Sequence, residues 1–186
     1  LKKIKLKALS VVLCSIMSVS LFAASVYASN LNIHNVTAQK QEKNFWCWAA
    51  VSSMAAKYLG VSNASQSNIV KTIYSWDFNT TGTVNDANKA LRSFGIDSVV
   101  TNSRLGYNNV VYDIDNYSTV LAFVQLKNDN NEGHAYLIRG YYSSKTSENI
   151  YYIDPREGTY HVKPYEEFWN NDSWRWVDTV KNIKLR

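Results

Sequence analysis

Gln41-Glu42-Lys43-Asn44-Phe45-Trp46-Cys47-Trp48-Ala49-Ala50 and, directly after it, Val51-Ser52-Ser53-Met54-Ala55-Ala56-Lys57-Tyr58-Leu59-Gly60 form the stretch from which the rest of the chain can be read. From Cys47 onward the residues are small or helix-forming and free of proline, and Gly60 supplies a C-terminal stop, so a helix of about three turns is expected to begin at Cys47. A cysteine at a helix N-terminus faces unpaired backbone N–H groups and the positive end of the helix dipole. That setting suits a thiolate, the form of sulfur that attacks carbonyl carbon. Gln41, six residues upstream, carries an amide able to donate a hydrogen bond to an oxyanion formed near Cys47.

The start of the chain bears on this cysteine. Leu1-Lys2-Lys3-Ile4-Lys5-Leu6-Lys7 is basic, residues 8–28 are almost uncharged, and Val26-Tyr27-Ala28 offers small or modest residues at the positions a signal peptidase reads. Residues 1–28 are therefore expected to be a secretory signal, with export and cleavage after Ala28, although the apolar run is also long enough for a membrane anchor. Removing the signal takes Lys2, Lys3, Lys5 and Lys7 and no acid, so the net charge falls from +5 to +1. With no basic cluster elsewhere, nucleic-acid binding is not expected, and neither is stable membrane association after cleavage. The signal also takes Cys14. Cys47 is then left alone, without a partner for an internal disulfide, as a buried thiol, an intermolecular bridge or a reactive group.

Residues 29–186 suffice for one domain with a substantial core. Leu31-Asn32-Ile33-His34-Asn35-Val36 alternates like a short strand. After the Cys47 helix, Asn68 to Tyr74 and Val84 to Phe94 repeat apolar residues at helical spacing, with Gly95 closing the latter. The pattern then changes to short runs rich in β-branched and aromatic residues: Val99-Val100, Val110-Val111-Tyr112, Thr119 to Leu126, Ala135 to Tyr142, Asn149 to Ile153, Thr159 to Lys163 and Trp174 to Ile183. Helices first and strands after predict an α+β domain, N-terminal helices packed against a C-terminal antiparallel sheet.

Three histidines could serve Cys47 as a base. His34 is expected at the surface near the N-terminus, and His161 on one face of a strand. His134 opens the apolar strand Ala135-Tyr136-Leu137-Ile138 after a polar loop, which fixes its backbone and leaves its ring able to enter a cleft; it is the preferred base and His161 the fallback. An imidazole in this role needs a partner on its second nitrogen. Asp154 ends Ile150-Tyr151-Tyr152-Ile153, and a hairpin turning through residues 143–147 would bring it to His134. The dispersed histidines and the cysteine have no zinc-ligand spacing, and the chemistry expected of them calls for no metal or cofactor.

Gln41 six positions before Cys47, the string Trp46-Cys47-Trp48-Ala49-Ala50, Gly133-His134-Ala135 and the strand-ending Asp154-Pro155 together resemble the papain-like superfamily of cysteine proteases. The likeness is greatest to its small bacterial branch, which includes secreted effector proteases and the leader peptidases of bacteriocin exporters. The resemblance implies a papain-like fold, a catalytic Cys47, a base His134, an orienting Asp154 where larger relatives usually have asparagine, and Gln41 as oxyanion donor beside the Cys47 N–H. It implies a secreted cysteine-type peptidase acting on protein or peptide substrates. Two other readings use the same residues: a cell-wall peptide amidase or endopeptidase, and a catalytically inactive binding module on this scaffold.

Overall fold

A computed structural model describes residues 29–127 and 132–186. The expected signal, residues 1–28, lies outside the described residues. In chain order the elements are β1 (Asn30–Ile33), α1 (Cys47–Tyr58), α2 (Gln66–Tyr74), α3 (Val84–Ser93), β2 (Ile96–Thr101), α4 (Tyr107–Asp115), β3 (Val120–Leu126), β4 (Gly133–Ser143), β5 (Glu148–Asp154), β6 (Thr159–Pro164), α5 (Tyr165–Trp169) and β7 (Trp174–Leu185).

The helices begin and end where local chemistry dictates. Thr83 and Asp86 form a reciprocal capping box at the start of α3, and the Ser65 hydroxyl accepts from Asn68 N to start α2. The second helix thus begins at Gln66, two residues before the apolar periodicity that announces it. After α1, Gly60 adopts φ of +90°, the left-handed conformation that costs glycine least. Helix α1 is buried almost throughout, and its alanines and serines let its backbone lie close against β4.

All strand pairs are antiparallel, in the order β2-β7-β3-β4-β5-β6, with β1 continuing the sheet on the edge of β4 beyond the end of β3. Alternation along β3 divides the core in two. Leu121 faces α1, α2 and α3 together with Ala135, Leu137, Ile153 and Val180. Val120, Ala122 and Val124 face the other way, onto α4 and α5 through Val110, Ile114 and Phe168. The expected packing of N-terminal helices on an antiparallel sheet is what the fold has.

Two expectations fail. Val110-Val111-Tyr112 is not a strand but the middle of α4, where Tyr107, Val110 and Ile114 share the buried stripe and Gly106 precedes the first turn. Three β-branched or aromatic residues are too short a window to show a period, and the i, i+4 pair Val110 and Ile114 decides for helix. His34 is not at the surface but only 6% exposed. Its ring stacks on Tyr58 with centroids 4.9 Å apart, and its Nε2–H donates to Ile114 O at 2.9 Å.

Candidate active site

Cys47 is the first residue of α1, with Trp46 before it as N-cap. The first helical hydrogen bond runs from Ala50 N to Trp46 O at 2.8 Å, so the N–H groups of Cys47, Trp48 and Ala49 have no carbonyl partner inside the helix. The thiol is free and half-buried. The two tryptophans beside it hold a wall of the site. Trp46 donates from Nε1 to Phe78 O at 2.7 Å, and Trp48 donates from Nε1 to Thr80 O at 3.2 Å. Phe45 N donates to Asn79 Oδ1 at 3.1 Å. Gly82 then lies against the face of the Trp48 indole, where a Cβ would fall 2.7 Å from Cγ and nearer still to the neighbouring ring carbons. No side chain fits there, which explains glycine at this turn.

His134 is the second residue of β4, paired with Val124 of β3 and 5% exposed. Its Nε2–H donates to Asp154 Oδ1 at 2.8 Å, and its ring meets Tyr136 edge to face at 4.8 Å. With Nε2 engaged, Nδ1 is the ring nitrogen left for Cys47, which lines the same two cavities as His134. The β4–β5 hairpin brings Asp154 there: Leu137 pairs with Ile153, and the turn closes through Ser144 N to Ser147 O at 2.8 Å. Asp154 Oδ1 also accepts from Arg156 N at 2.8 Å, so its carboxylate is fixed from two sides.

The electrostatics agree with this geometry. Burial by itself lowers the pKa of His134, but the hydrogen bonds to Asp154 and Cys47 and the charge on both outweigh it, and the pKa rises to about 9. Burial also acts against the Asp154 carboxylate; the hydrogen bond and charge of His134, with Arg156 behind, reverse that and hold its pKa below the usual carboxylate value.

Gln41 lines one cavity with Cys47, His134 and Arg156, of about 90 Å³. Its backbone N–H donates to Pro155 O at 2.7 Å, tying it directly to the residue after Asp154. Its amide Nε2 donates to Lys43 O at 3.0 Å and Asn44 O at 2.6 Å, while Oε1 is buried without a hydrogen-bond partner among the described residues. Exchanging oxygen and nitrogen would set Oε1 against two carbonyl oxygens, so the donors face those carbonyls.

Of the four residues singled out in the sequence, the structure thus gathers Cys47, His134 and Gln41 around one cavity and puts Asp154 directly behind His134. His161, the fallback base, is on β6, its Nε2 bonded with Thr159 Oγ1 at 2.8 Å and its ring stacked on Tyr152; neither cavity at Cys47 includes it. A second cavity of about 270 Å³ adjoins Cys47 and His134 and is walled by Thr81 to Val84, Phe123 to Gln125, Val177 and Asp178. Sequence reading missed these wall residues. The turn at Gly82 was the sole local signal; the rest depend on strand register. A larger cavity, about 650 Å³, lies between the ends of α3, α4 and β7 and touches neither Cys47 nor His134, so volume alone does not locate the chemistry. Among the described residues no group of three or more His, Cys, Asp or Glu side chains is placed to hold a metal ion.

A cysteine at a helix N-terminus facing a His–Asp pair on an antiparallel sheet is the layout of a papain-like cysteine peptidase. The chain belongs to the family described as papain-like cysteine protease AvrRpt2, whose model matches residues 30–172. Solved structures with the same fold include a double glycine motif protease from an AMS/PCAT transporter, in complex with the leader peptide. It is 16% identical with a TM-score of 0.52, over 81% of this chain and 94% of that one. The peptidase domain of Streptococcus ComA, a bifunctional ABC transporter of a quorum-sensing pathway, is 18% identical with a TM-score of 0.55, over 81% and 99%. UfSP from C. elegans is 12% identical with a TM-score of 0.53, over 84% of this chain and 34% of that one. At these identities the likeness is one of fold. No curated protein sequence matches the chain.

Proposed function

We propose that this cysteine peptidase is exported, loses residues 1–28, and cleaves peptide bonds with Cys47 as nucleophile, His134 as general base and acid, Asp154 as the residue that orients His134, and Gln41 as oxyanion donor. The observation that carries the reading is the placement of His134, bonded to Asp154 at 2.8 Å and lining one cavity with Cys47 and Gln41.

In the resting pair the thiolate of Cys47 faces the imidazolium of His134. The thiolate adds to the peptide carbonyl carbon, forming a C–S bond and a tetrahedral oxyanion, which the Cys47 N–H and the Gln41 amide stabilise. To do so, Gln41 gives up its exposed bond to Asn44 O for one to the oxyanion, a stronger acceptor because it is charged. The oxyanion collapses, the C–N bond breaks, and His134 transfers its proton to the departing amine. His134, now neutral, takes a proton from water, whose oxygen attacks the thioester; the C–S bond breaks, the carboxylic product leaves and the ion pair is restored. Asp154 keeps the ring in the tautomer with Nδ1 toward sulfur throughout.

The test is the mature chain incubated with an unfolded protein substrate, wild type against Cys47→Ala, together with alkylation by iodoacetamide. Loss of cleavage in the variant, and wild-type inactivation by one alkyl group on Cys47, are expected; cleavage by the variant refutes the reading. N-terminal sequencing of the protein recovered from the culture medium should begin at Ser29.

A further inference from the structure

We infer that Asp178 sets the substrate specificity of this peptidase by accepting a lysine or arginine side chain in the cleft beside Cys47. The inference rests on the reading of Cys47 as nucleophile, since it concerns the cavity that opens directly onto that sulfur.

Asp178 and Phe123 are directly opposed on β7 and β3, and a register shift follows between Phe123 and Val124. Cross-strand partners share a face, so the carboxylate and the phenyl ring stand side by side at the end of the sheet nearest Cys47. Thr81 to Val84, Val124, Gln125 and Val177 also line the cavity. The lining mixes Val84, Phe123, Val124 and Val177 with Thr81, Thr83 and Gln125 and holds one carboxylate, a setting that suits a long aliphatic stem with a cationic end, as in lysine and arginine. The volume, about 270 Å³, accommodates one such side chain.

The carboxylate also lacks any partner of its own. Among the described residues no hydrogen-bond donor or cation meets it: the neighbouring Thr179 hydroxyl is spent on Ser103 O at 2.7 Å and the Trp176 indole on the Asp178 backbone carbonyl at 2.9 Å. Burial, with no compensating charge, raises its pKa above the ordinary carboxylate value. A half-buried acid left uncompensated at the mouth of a cleft is a cost to the free protein, which an incoming cation removes. Of the other acids near Cys47, Asp154 is already engaged by His134 and Arg156, and Glu132 lines the smaller cavity beside Arg156 and not this one.

The experiment uses a positional peptide library on the mature wild type and on Asp178→Asn, a variant of nearly the same shape. Wild type should favour lysine or arginine at one position next to the scissile bond. For the best basic peptide, Asp178→Asn should lose about tenfold to thirtyfold in kcat/KM, the scale of a partly desolvated charge pair, and nothing for the peptide with norleucine at that position. In parallel, binding of the same peptides to Cys47→Ala and to Cys47→Ala with Asp178→Asn reads the preference without turnover. Turnover with no basic preference, or a preference that survives Asp178→Asn, overturns this inference and leaves the peptidase reading intact. Binding of basic peptides that depends on Asp178 upholds it even where cleavage fails, and binding indifferent to the substitution overturns it.

Discussion

Replacing Asp154 by asparagine isolates the charge in the line from Cys47 to His134 to Asp154. Asparagine keeps the shape and an oxygen able to accept from Arg156 N and from His134, and removes the negative charge. His134 holds its proton up to about 9 against an ordinary 6.5. At about 1.4 kcal/mol per pH unit this gap favours the imidazolium by roughly 3 kcal/mol. Because burial acts in the opposite direction, Asp154 and Cys47 together supply more than that difference. Neutralising an acid within hydrogen-bond distance of a titrating group moves its midpoint by about one to three pH units, so His134 in Asp154→Asn should titrate at least about one unit lower. The measurement is an NMR titration of the histidine ring carbons. His34 serves as the internal control, because its ring bonds to Ile114 O and not to Asp154. The alkaline limb of kcat/KM should move down with the midpoint, and its maximum should fall by about 10²- to 10⁴-fold, as the ion pair gives way to neutral thiol and imidazole. An unmoved His134 midpoint would refute the electrostatic account, whatever happened to the rate.

Gly82→Ala should drive a methyl group into the Trp48 ring, shift the cleft wall, destabilise the fold by about 1–3 kcal/mol in urea unfolding and raise KM more than it lowers kcat. An unchanged KM would mean that this wall does not meet substrate. Stability should also vary with pH in a defined sense. His134 has a folded pKa above its unfolded one, so its contribution is complete below about 6.5 and is lost as pH rises through about 9. Asp154 has a folded pKa below its unfolded one, so its contribution is present above about 3.8 and is lost as pH falls through the lower folded value. Urea midpoints should therefore decline toward pH 9, and this decline should shrink in Cys47→Ala; an identical alkaline decline would count against the pair. Tyr160→Phe removes a hydroxyl that accepts from Ala38 N at 3.1 Å and donates to Val36 O at 3.0 Å. It should cost about 1–2 kcal/mol and speed hydrogen exchange at residues 36–41 ahead of global unfolding, and unaltered exchange there would show that the hydroxyl does not hold the segment.

What the sequence discloses depends on how local the determinants are. The α1 helix could be read because its start, its composition and Gly60 all lie within one short stretch. His134 and Asp154 could be paired on paper because a single tight hairpin separates them. Burial of His34 could not, since Tyr58 and Ile114 that enclose it come from α1 and α4, far away in the chain. Val110-Val111-Tyr112 misleads for the opposite reason: three residues are too short a window to show a period, which emerges only over the stripe from Tyr107 to Ile114. The cleft walls were beyond reach altogether. Phe123 meets Asp178 only through the register of β3 on β7, and Gly82 meets Trp48 only because two indole N–H groups draw in the loop from Phe78 to Thr80.

Cys47 rides on a helix and its proposed base on a sheet, so catalysis needs these two bodies fixed to within a fraction of an ångström. The segment from His34 to Gln41 is built to do that. Toward the sheet, His34 N donates to Arg139 O at 2.8 Å, Arg139 returns a bond to His34 O at 2.9 Å, and Gln41 N donates to Pro155 O at 2.7 Å. Toward the helices, the Gln66 side chain accepts from Glu42 N and donates to Lys40 O, and the Ser53 hydroxyl donates to Gln39 Oε1. The strap thus grips α1 and α2 on one side and the β5–β6 turn carrying Asp154 on the other, and its last residue is the proposed oxyanion donor. Gly158 leaves no room for a Cβ against Lys40, which keeps strap and turn in contact. Loosening the strap would therefore displace Gln41 and the Asp154 turn together. Its influence on the rate should exceed anything its modest buried surface would suggest, because the distances it sets are those across which the proton and the acyl group must pass.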